Sequence, residues 1–229
     1  MTKAATRQSM HVTAPRSVKP AARLQSEVLM LGGERMVTAD DVIQSLVQVP
    51  TRVRTTAFHS MGREDLLRAL EMFAKNWLAH DGCWFLAAEE GLGMAAAIYL
   101  DTVAWQRFAV AEANRIMTTF NIRSGSGLAG LEKALGLRQY SLINSQRTDW
   151  SEDGKRLRLF MDVCRVQETR RRKGLTDFPC KSVGTVEFET FARTVDTRIR
   201  TRCLHCPPES PEGKYCGWEF SLSRKPKAK

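Results

Sequence analysis

The sequence contains no apolar run near the ~20 residues that a membrane-spanning helix needs. Its N-terminal residues also lack the apolar core of a secretory signal peptide. We therefore expect a cytoplasmic protein without membrane partners, in which the six cysteines are reduced. Reduced cysteines favour metal binding, catalysis or burial over disulfide bonds.

Acidic residues are missing from both ends of the chain, although the formal net charge is +10. Residues 1–23 and 224–229 together hold nine Lys or Arg and no Asp or Glu. The rest of the chain has 26 basic and 25 acidic residues and is nearly neutral. Because sequence-specific nucleic-acid binding needs a basic face, no specific nucleic acid is expected as a partner.

Hydrophobic periodicity predicts one α+β domain over residues 36–222, between flexible basic tails at 1–35 and 223–229. The helical part spans 38–138 and the sheet part 139–222. Predicted helices occupy residues 38–49, 63–90, 94–120, 131–136 and 185–199. Predicted strands occupy residues 140–150, 155–166 and 214–222, with "SEDG" as a hairpin turn between the first two. This order places helices against an antiparallel sheet and leaves a cysteine-rich C-terminal segment.

The C-terminal cysteines form the first candidate site. Cys203 and Cys206 make a C-x-x-C pair, a spacing that lets two thiolates bind one tetrahedral zinc ion. Cys216 follows ten residues later, and Cys180 or Cys164 is the best fourth ligand. The sequence leaves three possibilities open: a structural zinc site, buried or redox-active thiols, and a nucleophilic cysteine.

The predicted helical hairpin carries the second candidate site. Folding the chain about residue 92 places His80 and Trp84 opposite the segment that runs from Asp101 to Trp105. Asp101, Trp105 and Glu112 share one helical stripe. Since a buried carboxylate needs a partner or a raised pKa, we expect His80 to be that partner. The group could serve general acid/base catalysis or bind a metal, or His80 could simply satisfy a carboxylate at the edge of the stripe.

Polar residues on the predicted sheet form the third candidate. Asn144 alternates with Gln146 on one strand, and Asp162 alternates with Cys164 on the next. A solvated sheet face is the simpler interpretation. Alternatively these residues line a pocket for a small anion, with Arg165 or Arg170 binding its carboxylate.

Three segments carry a family resemblance: "NWLAHDGCWF", "DVCRVQETRRRKGLTDFPCKSVG" and "RTRCLHCPPESPEGKYCGWEF". Between about Thr38 and Leu222 the chain resembles an uncharacterised family of bacterial cytosolic proteins, similar in turn to L-2-amino-thiazoline-4-carboxylate hydrolase-like proteins. The closing pattern Cys216-x-Trp218-x-Phe220 is similar to the end of 4-vinyl-reductase-type ligand-binding domains. Those domains surround a small-molecule pocket, and some carry zinc on such cysteines.

The resemblance implies that water opens a thiazoline or a similar cyclic C=N bond. His80 would act as the base, oriented by Asp101 or Glu112. Arg165 or Arg170 would bind the substrate carboxylate. Further residues would line the pocket: Trp84, Trp105, Asn144, Asp162 and Cys164.

Two further functions stay open at this point. The protein could be a small-molecule-binding or sensory module without catalysis, stiffened by structural zinc on Cys203, Cys206, Cys216 and Cys180. It could also be a redox-responsive scaffold in which Cys203 and Cys206 cycle. A homo-oligomer is equally open.

Overall fold

The computed structural model describes residues 56–223, so the predicted helix at 38–49 and the tail residues 1–35 and 224–229 lie outside it. The α-helices are α1 (Thr56–His59), α2 (Arg63–Leu92), α3 (Met94–Thr119), α4 (Gly127–Gly136), α5 (Arg165–Arg172) and α6 (Lys181–Val195). The strands are β1 (Ser145–Trp150), β2 (Arg156–Val163), β3 (Ile199–His205) and β4 (Gly217–Leu222), and a 3-10 helix spans Gln139–Leu142. The predicted α+β class is confirmed.

Helices α2 and α3 form the predicted antiparallel hairpin. Gly93 joins them with a φ of +83°, a conformation that disfavours residues with a Cβ. Its N–H donates to the Glu89 carbonyl oxygen at 2.9 Å and ends α2. The single-residue break therefore sets the two long helices side by side.

The four strands form one antiparallel sheet in the order β1-β2-β4-β3. The "SEDG" turn joins β1 to β2 as predicted, with Gly154 at a φ of +63°. Leu157, Leu159 and Met161 of β2 are buried on the face that the alternation predicts. The sheet thus turns one apolar face toward the helices.

The main core fills the space between that face and helices α3, α4 and α6. Its fully buried large side chains include Leu131, Phe191, Trp218 and Phe220. A second cluster joins Trp105, Phe178 and Val183 to aromatic side chains of α2 and of the 3-10 helix. The second cluster borders the cavity described below.

The N-terminal half of α2 has the predicted apolar stripe, but most of that stripe is exposed. Leu70 and Phe73 are 52% and 50% exposed, whereas Ala74 is buried. Trp77 is half-buried because it packs against Trp105 and Tyr140, with ring centroids 6.1 and 5.6 Å away. The homo-oligomer that the sequence leaves open stays a prediction.

Three local predictions were wrong. The chain before β1 forms a 3-10 helix at Gln139–Leu142 instead of the start of a strand. The predicted strand at 155–166 ends at Val163, and Arg165 and Val166 instead begin α5. The segment Ile199–His205 is a fourth strand that the sequence reading did not include.

Candidate functional site

A cavity of about 380 Å³ lies between helices α2, α3, α5 and α6 and strands β2 and β4. The exposed residues Lys75, Cys83 and Lys173 lie at its opening, while Glu187 and Trp218 are buried in its floor. Its walls are mainly apolar, with contributions from Leu78, Phe85, Leu86, Trp105, Phe178 and Phe188. A concave apolar space with few polar groups is the usual form of a small-molecule site.

Carboxyl groups from three helices line this cavity: Asp81 on α2, Asp101 on α3 and Glu187 on α6. Burial, followed by the nearby charges of Asp81 and Glu187, raises the pKa of Asp101 to about 7. Burial likewise raises the pKa of Asp81 and the pKa of Glu187. At neutral pH the Asp101 carboxyl therefore exists in both its protonated and its ionised form.

Behind the cavity wall, the Arg138 guanidinium bridges two buried carboxylates. Its Nε donates to Glu112 Oε2 at 2.9 Å, and its Nη2 donates to Glu187 Oε1 at 2.7 Å. The guanidinium also lies over the rings of Tyr140 and Phe191. Although burial opposes its charge, the two carboxylates raise the pKa of Arg138 above its usual value. Arg138 therefore shares its single positive charge between Glu112 and Glu187.

The structure does not bring His80 to Asp101 and Glu112. His80 is exposed outside the cavity lining, and its ring contacts that of Trp84, which is 69% exposed. The partner of Glu112 is Arg138, which the sequence reading did not include among the site residues. Of the predicted stripe, Asp101 and the buried Trp105 do face the cavity.

Arg165 and Arg170, the two arginines predicted to bind a substrate carboxylate, differ in their surroundings. Arg170 makes a bidentate ion pair with Glu89, at 2.7 and 3.0 Å, and also donates to the Thr176 carbonyl oxygen. The buried Arg170 guanidinium is thus already committed to its own protein. Arg165 lines the cavity, and its half-buried position at the start of α5 leaves it the better candidate.

The predicted sheet residues divide between the cavity and the surface. Asn144 accepts a hydrogen bond from the Arg165 backbone N–H at 2.9 Å and so holds the start of α5. Asp162 pairs with Arg147 on the exposed face. Gln146 donates a longer bond of 3.4 Å to the Leu135 carbonyl oxygen. Of these predicted residues, only Cys164 lines the cavity, and burial raises its pKa to about 12, so its thiol stays neutral.

Four cysteine thiols meet beside the cavity floor. Cys206 lies 3.4 Å, Sγ to Sγ, from Cys203, and the thiols of Cys180 and Cys216 are near enough to change its pKa. The contacts to Cys180 and Cys216 raise the pKa of Cys206, while the contact from Cys206 lowers the pKa of Cys180. The fully buried Gln167 adds a hydrogen bond of 3.1 Å from Nε2 to Cys180 Sγ. The four cysteines that the sequence grouped are therefore neighbours, with Cys180 and Cys216 also lining the cavity.

Within residues 56–223, no group of three or more His, Cys, Asp or Glu side chains is arranged so that it could hold a metal ion. The thiols pack against one another as free cysteines. The zinc site predicted from the cysteine spacing stays a prediction.

Glu187, Tyr140 and Arg138 are site residues that the sequence reading missed. Glu187 has a signal, because it shares the apolar face of α6 with Val183 and Phe191. A carboxylate on such a face needs a buried partner. Arg138 follows a helix end in "LGLRQY" and carries no comparable signal.

Fold and cavity together define an α+β protein with a small-molecule-sized cavity between its helices and its sheet. Residues 59–222 match the model of DUF6125, a family of unknown function. The chain belongs to this family.

Among curated proteins, no match to this chain is found. Among solved structures, the chain is similar to a trafficking protein particle complex subunit 3 from Naegleria fowleri, covalently bound to palmitic acid. The identity is 11% and the TM-score 0.41, over 68% of this chain and 96% of the other. None of the helices in residues 56–223 combines the length and the hydropathy required to span a membrane. The predicted cytoplasmic location stays a prediction.

Proposed function

We propose that this protein binds a small, mainly apolar molecule in the cavity between its helices and its sheet. The observation that supports this most is the cavity itself, about 380 Å³ in volume with apolar walls and a few convergent polar groups. Large apolar side chains surround the space without filling it, although protein interiors are normally packed densely. A bound molecule would supply the missing contacts.

Gly82 offers a way to close the cavity without disturbing the fold. It lines the cavity from within α2, and a Cβ added to it meets no atom within 4 Å. Gly82→Leu would therefore place a side chain in the cavity, and it would also favour the helix by about 0.5–1 kcal/mol. Gly91→Leu is the matched control, because Gly91 lies on the same helix, is equally open and does not line the cavity.

The test is a fluorescence titration with prodan, an uncharged dye whose emission reports an apolar environment. We expect saturable binding to the wild type and to Gly91→Leu, and a loss of at least about tenfold in affinity for Gly82→Leu. Equal binding by all three proteins would overturn the proposal, since the dye would then be bound elsewhere. Absence of saturable binding to the wild type would overturn it as well.

Hydrolysis of a cyclic C=N or amide bond is a second candidate function, favoured by the Asp101 carboxyl. A group with a pKa of about 7 beside a second carboxyl can donate and accept protons at neutral pH. In this proposal Asp101 takes a proton from the water that adds to the C=N carbon, the ring nitrogen is protonated, and the C–S bond then breaks with a proton delivered to the sulfur, which leaves as a thiol. Asp81 assists Asp101, and Arg165 binds a substrate carboxylate. Thiazoline carboxylates remain the proposed substrate class.

Incubation with L-2-amino-thiazoline-4-carboxylate, followed by thiol titration, tests this second function. We expect thiol release by the wild type, its loss in Asp101→Asn and its retention in His80→Ala, because His80 lies outside the cavity lining. No thiol release by the wild type would overturn hydrolysis of this substrate and leave the binding proposal unaffected.

We also propose a structural zinc ion on Cys180, Cys203, Cys206 and Cys216. Its support is that thiols from separate segments meet at Cys206. Zinc would require the thiols to lose their protons and to turn toward a common centre. Elemental analysis of protein purified without a metal-chelating tag should find one zinc per chain, and its absence would overturn this proposal.

A further inference from the structure

Some of the carboxyl groups around the cavity have a positively charged partner and others do not. Arg138 makes ion pairs with Glu112 and Glu187. Asp81 and Asp101, which line the cavity, make no ion pair within residues 56–223. Two carboxyl groups therefore face an apolar space without a cation of their own, which is unfavourable unless one is protonated or a cation enters.

The basic residues that line the cavity do not supply that cation: Arg170 pairs with Glu89, and within residues 56–223 Arg165 makes no ion pair with Asp81 or Asp101. Lys75 and Lys173 are exposed, and Lys75 already pairs with Glu71 at 2.5 Å. Exposed charges of this kind are screened by water and salt. Asp81 and Asp101 therefore have no cationic partner inside the cavity in the part of the chain that the structure describes.

A second observation, independent of charge, also indicates an occupant. Trp218 lines the cavity floor and is only 1% exposed, yet its Nε1–H has no hydrogen-bond partner in the described part of the chain. The Trp218 ring packs against α6, with Cζ2 2.7 Å from the ideal Cβ position of Gly184, which also lines the cavity. Buried N–H groups are seldom left unpaired, because an unmade hydrogen bond is costly. An acceptor atom on a bound molecule would satisfy this donor.

The aromatic residues of the wall already have a cation over their faces, because Arg138 Cζ lies 5.6 and 5.4 Å from the ring centroids of Trp105 and Tyr140. Trp105 and Tyr140 stack with ring centroids 5.8 Å apart, and both line the cavity next to Asp101. The Trp105 side chain also lies near Asp101 and partly opposes the rise in the pKa of Asp101. A ligand ammonium group would therefore be bound by the carboxyl groups of Asp81 and Asp101 and not by these ring faces.

We infer that the cavity ligand is a small hydrophobic amine, bound as its ammonium ion between Asp81 and Asp101, with an oxygen acceptor on its apolar body for the Trp218 indole N–H. This inference rests on the proposed binding function and names its ligand class. The ammonium group supplies the absent counter-charge, and the apolar body lies against the Phe85–Phe178 pair, whose rings are in edge-to-face contact with centroids 5.0 Å apart.

Three probes with the same methoxyphenyl body separate charge from hydrophobicity. They are 4-methoxyphenethylamine, 4-methoxyphenethyl alcohol and 3-(4-methoxyphenyl)propionate, which are a cation, a neutral molecule and an anion at neutral pH. Each is titrated into the full-length protein by calorimetry and, where the dye binds, used to displace prodan. We expect the amine to bind at least about tenfold more tightly than the alcohol and the propionate.

Asp81→Asn and Asp101→Asn should each weaken amine binding at least about fivefold and change alcohol binding less than about twofold, because only the cation loses a charged partner. Asp149→Asn is the matched control, since Asp149 is an exposed β1 residue outside the cavity lining. It should leave binding of all three probes unchanged.

Equal or tighter binding of the alcohol or the propionate by the wild type would overturn the inference, whether or not the Asn variants fold. If prodan still binds in that case and Gly82→Leu abolishes it, the binding function stands and only the ligand class is wrong. If the wild type binds neither prodan nor the amine, both the binding function and the ligand class are overturned.

Discussion

At the scale of single residues, Arg138 is the clearest product of three-dimensional structure. It is 3% exposed and joins α3 to α6 through Glu112 and Glu187. Charged side chains are almost never buried unless they are paired, so its burial depends on both carboxylates being in place. The ion pair between Arg138 and Glu187 also holds Glu187 in place in the cavity floor.

Replacing Arg138 should destabilise the protein strongly. Arg138→Met leaves two buried carboxylates unpaired, and we expect the free energy of unfolding to fall by about 3–5 kcal/mol. Urea denaturation followed by circular dichroism measures this. Arg147→Met is the control, because Arg147 pairs with Asp162 at the surface and should change stability by less than about 1 kcal/mol. An equally small effect of both substitutions would contradict the role given to Arg138.

Asp101 predicts a pH dependence of stability. Its pKa is about 7 in the folded protein, above the ordinary aspartate value, so the folded state binds more protons than the unfolded state between pH ~4 and ~7. Its contribution to stability therefore falls as pH rises through that range. Asp101→Asn, which resembles the protonated form, should gain stability relative to the wild type as pH rises from ~4 to ~7. Thermal melting at several pH values measures the difference, and a constant difference would contradict the raised pKa.

At the scale of elements, the sequence predicted those whose signals are local. The α2–α3 hairpin follows from long apolar periodicity broken at "GLG", and the β1–β2 hairpin follows from alternation around "SEDG". Strand β3 was missed, although Ile199 alternates with exposed arginines at positions 200 and 202. β3 pairs with β4, the next strand in the chain, across the loop at 206–216. The C-x-x-C in that region favoured a metal site over a strand in the sequence analysis.

Asp196 shows how one side chain connects elements. It is 1% exposed, and its Oδ2 accepts a hydrogen bond of 3.0 Å from the backbone N–H of Gly127 at the start of α4. Oδ1 accepts bonds from the backbone N–H and the Nε of Arg198, just before β3. Asp196 therefore ties the end of α6 to two other elements.

Asp196→Asn should weaken this junction at neutral pH. The hydrogen bonds from Arg198 lower the pKa of Asp196 to about 2, so the carboxylate stabilises the fold above pH ~4 and loses that contribution as pH falls toward 2. We expect a loss of about 1–3 kcal/mol at pH 7. Urea denaturation at pH 7 and at pH 3 should show the difference from the wild type shrinking at the lower pH, and a difference that grows there would contradict this account.

At the scale of the whole molecule, the cavity depends on contacts that no local pattern contains. It forms where α2 and α3 border the segment before α6, which Gln167 of α5 holds through two hydrogen bonds to the Phe178 backbone. The sequence pointed to Asp101, Trp105, Cys164 and Arg165, which all line the cavity. It misplaced His80, since helical periodicity shows which residues share a stripe but not which stripe faces inward. The fold class was therefore more predictable than the site.

The central claim is that this cavity holds a ligand, and the position of a bound probe tests it most directly. A crystal structure with 4-bromophenethylamine locates the bromine by its anomalous scattering. We predict bromine inside the cavity beside the Phe85–Phe178 ring pair and the amine nitrogen within hydrogen-bond distance of Asp81 or Asp101. Bromine found only on the exposed apolar stripe of α2, with no probe in the cavity, would contradict the account.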